Sequence, residues 1–421
     1  METINKTSHA FISDLNPTEI GIHPSVLEAA NETLSSTQIP TTRVEAWKYT
    51  RVAQLGKRKF QKGSDSVDSI DGFRLENTQG PLVFVNGQFS EALSDTSSIA
   101  KGITAQPLSS LGSNALPTSI VPLHHELFHA INTVHLNDGV RITIDKNSQH
   151  KQPVHIIHVV SGEDVMANFK TVLHCGAFSE AGMVQSFVSL NDSNGFVNAT
   201  HEIFVEENAH FNLDKIQNES PGNTHIGTDQ VVQDANSVFT INTITLNGGL
   251  VRNNLSIEVK GQNCETNLNG AYVLDGKQHV DNHTTVDHKV ANCVSNELYK
   301  GVIDDHATAV FNGKVFVRQN AQKINAFQSN GNVLLSDSGS VNSKPELEIY
   351  ADDVRCSHGS TTGQLDEDAI FYLRARGLSE KSARRLLVSA FIGEVIEKIS
   401  YPASKEYVFS VLCDRFGWNF D

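Results

Sequence analysis

From about Pro81 to Asp353 the chain runs in short apolar or alternating stretches separated by Asn, Asp and Gly. Pro81-Leu-Val-Phe-Val, Gly139-Val-Arg-Ile-Thr-Ile, Val154-His-Ile-Ile-His-Val-Val and Val238-Phe-Thr-Ile-Asn-Thr-Ile-Thr-Leu are all of strand length. Several alternate apolar with polar residues, which predicts β-strands with one face buried. A loose internal rhyme around Gly270, Gly301, Gly313 and Gly331 reads as turn, strand and turn again. Nothing here alternates strands with amphipathic helices, so a doubly wound α/β sheet is excluded. Sandwich, propeller and solenoid remain. So many Asn-rich short strands without a propeller signature favour a solenoid, in which Asn and Thr form ladders with the coil above.

The flanks have a different texture. Residues 1–79 predict helices and loops, with helix starts at Asn16-Pro-Thr-Glu19 and at Pro24-Ser25. Within them, Arg43-Val-Glu-Ala-Trp47-Lys-Tyr49-Thr50 reads as an aromatic plug at a domain junction, with Arg43 and Glu45 paired beside it. After Gly359, Asp366 caps a predicted helix over Glu367–Arg376 that Gly377 ends. Ser379 caps a second helix running to about Ser400 and stopped by Pro402. Ala383, Leu386, Leu387, Ala390, Phe391 and Val395 form the predicted apolar face of that second helix. The expected architecture is mainly β: a right-handed parallel β-helix over 80–358, between helical domains at 1–79 and 359–421.

Charge narrows the function. Lys plus Arg number 33 against 48 Asp plus Glu, a net charge of −15. That balance repels nucleic acid and anionic membrane surfaces. No stretch approaches the ~20 apolar residues of a membrane span, and Met1–Leu15 lacks the pattern of a secretory leader. Five widely spaced cysteines without a C-x-x-C pair argue against disulfides and fit a reducing, cytoplasmic setting. Against the global sign, Arg374, Arg376, Lys381, Arg384 and Arg385 are locally basic. They form either a solvated face or a docking surface for another protein.

Three constellations carry candidate chemistry. His125-Glu126-Leu-Phe-His129 is a literal H-E-x-x-H, but no third ligand follows and the chain leads straight into a strand, so a zinc site is not expected. On a strand, His279 and His283 share one face and His288 takes the other, which favours hydrogen bonds to Asp and Thr neighbours over metal binding. In Cys356-Ser-His358-Gly the thiol and imidazole, two residues apart, face one side together. That pair suits soft-metal or sulfur chemistry, a nucleophilic thiol, or simply a buried Cys beside a satisfied His. Two ligands cannot hold a cluster, so a partner chain would have to supply the others.

The run from Ile349 through Cys356, Ser357, His358 and Gly359 to Gly377 resembles the hallmark of the SufB/SufD family of iron–sulfur cluster assembly proteins, on its SufD branch. Arg43–Thr50, Glu297–Ile303, Val310–Arg318 and Lys344–Ile349 extend the likeness over most of the chain. The resemblance implies a right-handed β-helix between helical ends and a non-enzymatic scaffold subunit. Such a subunit pairs with SufB through the β-helix and takes one copy of the ATPase SufC on its C-terminal helices, with Phe371, Arg374, Arg376 and Arg384 in the dock. It implies that His358, with Cys356 as the weaker candidate, helps hold a transient iron–sulfur cluster shared with SufB. A reduced flavin belongs to some such complexes, and the sequence leaves open whether it touches this chain. A homodimer of the isolated chain is compatible with the same features. SufB is expected to carry a cysteine six residues before its counterpart of Pro345 and glutamates flanking its His, where this chain has Gly339, Ser357 and Gly359. The main sulfur acceptor should therefore be the partner. The alternative from another class is a β-helix enzyme with a Cys/His site, such as a polysaccharide lyase or thiol hydrolase.

Overall fold

The computed structural model describes residues 9–64, 66–114, 116, 118–122, 126–190 and 192–418. The strands form two sheets, one of ten strands and one of nine, and from Asp138 onward strands that follow one another in sequence fall alternately into the two. Within each sheet every strand from Val154 onward lies parallel to the strand one coil before it. Val238 sits beside His210, Glu265 beside Val238, and Val294 beside Glu265. The result is a parallel β-solenoid whose side chains stack in columns along its axis. At the start of the solenoid, two short strands pair antiparallel instead.

The interior follows from alternation along each strand. Residues two apart face the same way, and in-register stacking joins them into a continuous apolar core that includes Ile156, Met183, Leu213, Ile241 and Leu268. The glycines of the internal rhyme are not turns. Gly270, Gly301, Gly313 and Gly331 lie within strands. A Cβ at Gly270 would stand 2.1 Å from the Tyr299 ring, and one at Gly301 would stand 2.0 Å from the Tyr272 ring. These glycines leave room for buried tyrosines. One edge of the coil turns instead at residues with left-handed backbone: Phe178, Asn208, Asn236, Asn263, Asn292 and Lys323. Four of the six are Asn, which tolerates that conformation. The expected ladder between coils is present, with Asn263 donating to Asn236 at 3.1 Å.

Helices cover the outer faces. Helix α1 (Pro24–Ser36) starts at the predicted Pro, whereas Asn16–Glu19 is not helical. Helix α2 (Leu127–Val134) joins α1, Trp47, Met166 and Phe196 in one cluster against the nine-stranded sheet. Three helices close the chain: α3 (Glu367–Ala375), α4 (Glu380–Ile396) and α5 (Pro402–Phe416). The caps on Asp366 and Ser379 form as expected. Pro402, predicted as a stop, also opens α5, the first-turn position where its missing N–H costs nothing. The buried face of α4 keeps Ala383 and Val395 of the predicted one but is otherwise rotated: Val388, Ile392 and Ile396 are buried while Leu386 is 44% exposed. The ten-stranded sheet, through Val184, Ile216, Ile244 and Val273, selects that face. Each fully buried aliphatic side chain contributes about 1.5–3 kcal/mol.

Candidate functional site

The last coil consists of Ser340–Ile349 and Val354–Gly363, at the ends of the two sheets. Val354–Gly363 pairs with Ile324–Leu334 on one edge, and no described strand covers the other. The side chains there are correspondingly open. Phe327 is 46% exposed, Tyr350 58%, and most residues from 355 to 364 are exposed.

Register places the predicted pair. Cys356 stands beside Ala326 and His358 beside Gln328. Ser360 donates to Ser343 on the opposite sheet at 2.7 Å, so Ser360 faces the interior. Cys356 packs against the interior core, and His358, between them by twos, shares that inward face. The structure therefore brings thiol and imidazole to the same side of one strand, at the open mouth of the solenoid. Partial burial pushes the Cys356 thiol up from its ordinary value, outweighing a backbone contact from Ala326. That direction disfavours the thiolate a nucleophile needs, and the enzyme alternative gains no support from it.

Behind His358 the interior changes character. The column that reads Met183, Leu213, Ile241 and Leu268 in deeper coils continues as Glu297, Gln328 and His358. Glu297 is 5% exposed and Gln328 4%. Gln328 Nε2 donates to Glu297 Oε2 at 2.6 Å, and the Thr284 hydroxyl donates to the other carboxylate oxygen. Burial pushes Glu297 up to about 7 against these two hydrogen bonds. A second polar chain runs from Tyr272 through Asn330 and Ser343 to Ser360. Reading the sequence for motifs missed Glu297 and Gln328. The signal that finds them is a polar residue at an inward position of the period-two pattern.

The other candidates fall elsewhere. His125 lies outside the described residues. His129 is buried beside Thr200 at 3.3 Å, and burial holds it well below the ordinary imidazole range. His279 meets the Thr50 hydroxyl at 2.9 Å and His283 lies 2.9 Å from Asp281, while His288 bonds Ser295 inside the solenoid. The first two belong to a clamp around Trp47. Arg252 stacks over that ring at 3.9 Å, donates to Ala46, and pairs with Asp281. Burial opposes ionisation of Asp281, but Arg252 and His283 bring it down to about 2. Glu45 pairs with Lys344 at 2.9 Å, not with Arg43, because the segment lies against the late coils.

On α3, Phe371 is 72% exposed and Tyr372 56%. Arg374 pairs with Glu380 at 3.4 Å and Arg384 with Glu367 at 3.0 Å, while Arg376 stacks on Tyr372 at 5.0 Å. The basic face is partly neutralised from within and tied across the α3–α4 corner. Its most open feature is the aromatic pair.

Comparison with known proteins follows the same geography. Residues 158–391 match the model of the SufBD core domain, described as SUF system FeS cluster assembly. The chain is 33% identical over 401 residues to an iron–sulfur cluster assembly SufBD family protein of Synechocystis, covering 91% of this chain and 88% of that one. It is 31% identical to iron–sulfur cluster assembly protein SufD of Escherichia coli, over 91% and 90% of the two chains. It is 29% identical to the chloroplastic protein ABCI7 of Arabidopsis thaliana, over 89% and 82%.

Proposed function

The chain belongs to the SufBD family of the SUF iron–sulfur cluster assembly system, on its SufD branch, and from that premise we propose that it is the scaffold subunit that presents His358 to a SufB partner across the open end of its solenoid. The observation that carries this reading is the position of His358. It stands on the last strand, exposed, on the inward face, where no described strand of this chain covers the edge. Among the described residues no three His, Cys, Asp or Glu side chains converge as a ligand set. His358 and Cys356 thus suit a site completed by another chain, with iron and sulfide as cargo.

Docking of the ATPase SufC belongs on the C-terminal helices. Phe371 and Tyr372 supply exposed aromatic surface of the kind that anchors interfaces. Arg374, Arg376 and Arg384 surround it with charge suited to steering an acidic partner surface.

The test is His358→Ala in the assembled complex. The chain should fold and co-purify with its partners as before, while bound iron and acid-labile sulfide fall about tenfold or more, since losing even a group that only orients a metal ligand costs about that much. Unchanged loading sinks the proposal. Phe371→Ala should weaken co-purification of the ATPase subunit by about tenfold, as truncation of an aromatic anchor does, without altering thermal stability.

A further inference from the structure

Gln328 carries an unanswered acceptor. Its Nε2 is committed to Glu297, but its Oε1 is buried without a hydrogen-bond partner. Leaving a buried carbonyl unpaired is costly, so such an atom calls for a donor. The Gln328 amide is also built into its place. A Cβ at Gly313, on the facing sheet, would stand 2.1 Å from Gln328 Nε2, so that glycine leaves the slot the amide fills. Glu297 accepts from both Thr284 and Gln328, which fixes the amide's nitrogen toward the carboxylate and leaves its oxygen for another donor.

One coil outward, on the same inward face, stands His358. Parallel in-register neighbours lie about 4.8 Å apart at the backbone. The His358 ring stands exposed here and makes no hydrogen bond to Gln328, and turning it inward would bring a ring N–H toward the waiting amide oxygen. A neutral imidazole has one N–H and one bare nitrogen, and whichever nitrogen donates leaves the other as ligand.

We infer that Gln328, oriented by Glu297, is the positioning residue of His358: when the ring turns inward, the Gln328 side-chain oxygen takes its N–H and so selects the tautomer whose other nitrogen faces outward. The assignment of that outward nitrogen to iron–sulfur cargo rests on the proposed function; the selection of the tautomer does not. Metal-binding histidines are commonly oriented in this way by a second group behind them.

The experiment is nitrogen NMR of the full-length chain labelled at histidine, with the His358 signals assigned by their loss in His358→Asn. At a pH where the ring is neutral, the ring-nitrogen shifts report the tautomer ratio. One tautomer should dominate by about tenfold, the ratio that one ordinary hydrogen bond sustains. Gln328→Met, which keeps the bulk and removes the acceptor, should bring the ratio to that of a free side chain. Glu297→Gln, which still accepts from Gln328, should preserve it. A mixed tautomer in the unaltered chain overturns the inference, as does a ratio unmoved by Gln328→Met, which would mean that water alone meets the Gln328 oxygen. Iron loading lost in His358→Ala with an insensitive tautomer would refute this inference and leave the proposed function standing. A responsive tautomer with unchanged loading would do the reverse.

Discussion

Glu297 is a carboxylic acid placed where a leucine stands one coil earlier, and its titration should be visible in the stability of the whole chain. Burial pushes it up to about 7, from 4.5 when unrestrained. Unfolded, it ionises as pH rises through 4.5; folded, it holds its proton to about 7. Its contribution is therefore fully present below about 4.5 and lost as pH rises toward 7. Glu297→Gln removes that dependence. Between pH 4.5 and 8 the variant should gain on the order of 2–3 kcal/mol relative to the unaltered chain. Urea unfolding at the two pH values measures it, and parallel profiles for the two proteins would contradict the assignment. Cys356 and His358 were legible as a pair because two-residue spacing on a strand has one geometric meaning. Glu297 and Gln328 were not, because their partners come from other coils and only the register brings them together.

Among the elements, the strands were plain in the sequence and their punctuation was not. Gly in a β-rich segment usually marks a turn, yet Gly301 sits inside Val294–Ile303, beneath the Tyr272 ring. The bends fall instead at Asn208, Asn236, Asn263 and Asn292, whose spacing shows the coil length once the fold is known. Only the pairing of a bulky residue with a bare position across coils separates the two uses of Gly, and that pairing is long-range. A matched set of substitutions tests it. Gly301→Ala would bring a methyl to 2.0 Å from Tyr272 and 2.6 Å from Asn332, and should cost about 1–3 kcal/mol by overpacking. Gly359→Ala, with nothing within 4 Å, should be close to neutral in the isolated chain. Equal unfolding midpoints for the two variants would refute the packing account. Helix α4 teaches a related lesson: its 3.6-residue period was readable, but the sheet decided which of two adjoining stripes is buried.

At the scale of the whole molecule, the solenoid buries many histidines in its wall and interior, and these set its response to acid. Burial brings His155 down to about 3 and His288 to about 4, and it holds His158 well below the ordinary range. Nearby, Lys215 lies 3.0 Å from Asp229, and His201 pairs with the same carboxylate. Burial opposes ionisation of Asp229, but Lys215 and His201 outweigh it, so protonating further imidazoles here would add charge beside an existing cation. Each lowered histidine binds its proton near 6.5 when unfolded and resists it when folded. Its contribution is complete above about 6.5 and is lost as pH falls toward the folded value. Glu297 works in the opposite direction between 4.5 and 7, but it is one group against several with shifts of similar or larger size. The sum favours the histidines, at on the order of a few kcal/mol for each. Because stacked coils unfold with their neighbours, that loss should appear as a lower melting temperature of the core as a whole. Thermal unfolding of the full chain should shift downward between pH 7.5 and 5, and His288→Gln, which can still meet Ser295, should reduce the shift. A melting temperature equal at both pH values would mean that the buried histidines titrate in the folded chain as they do in the unfolded one.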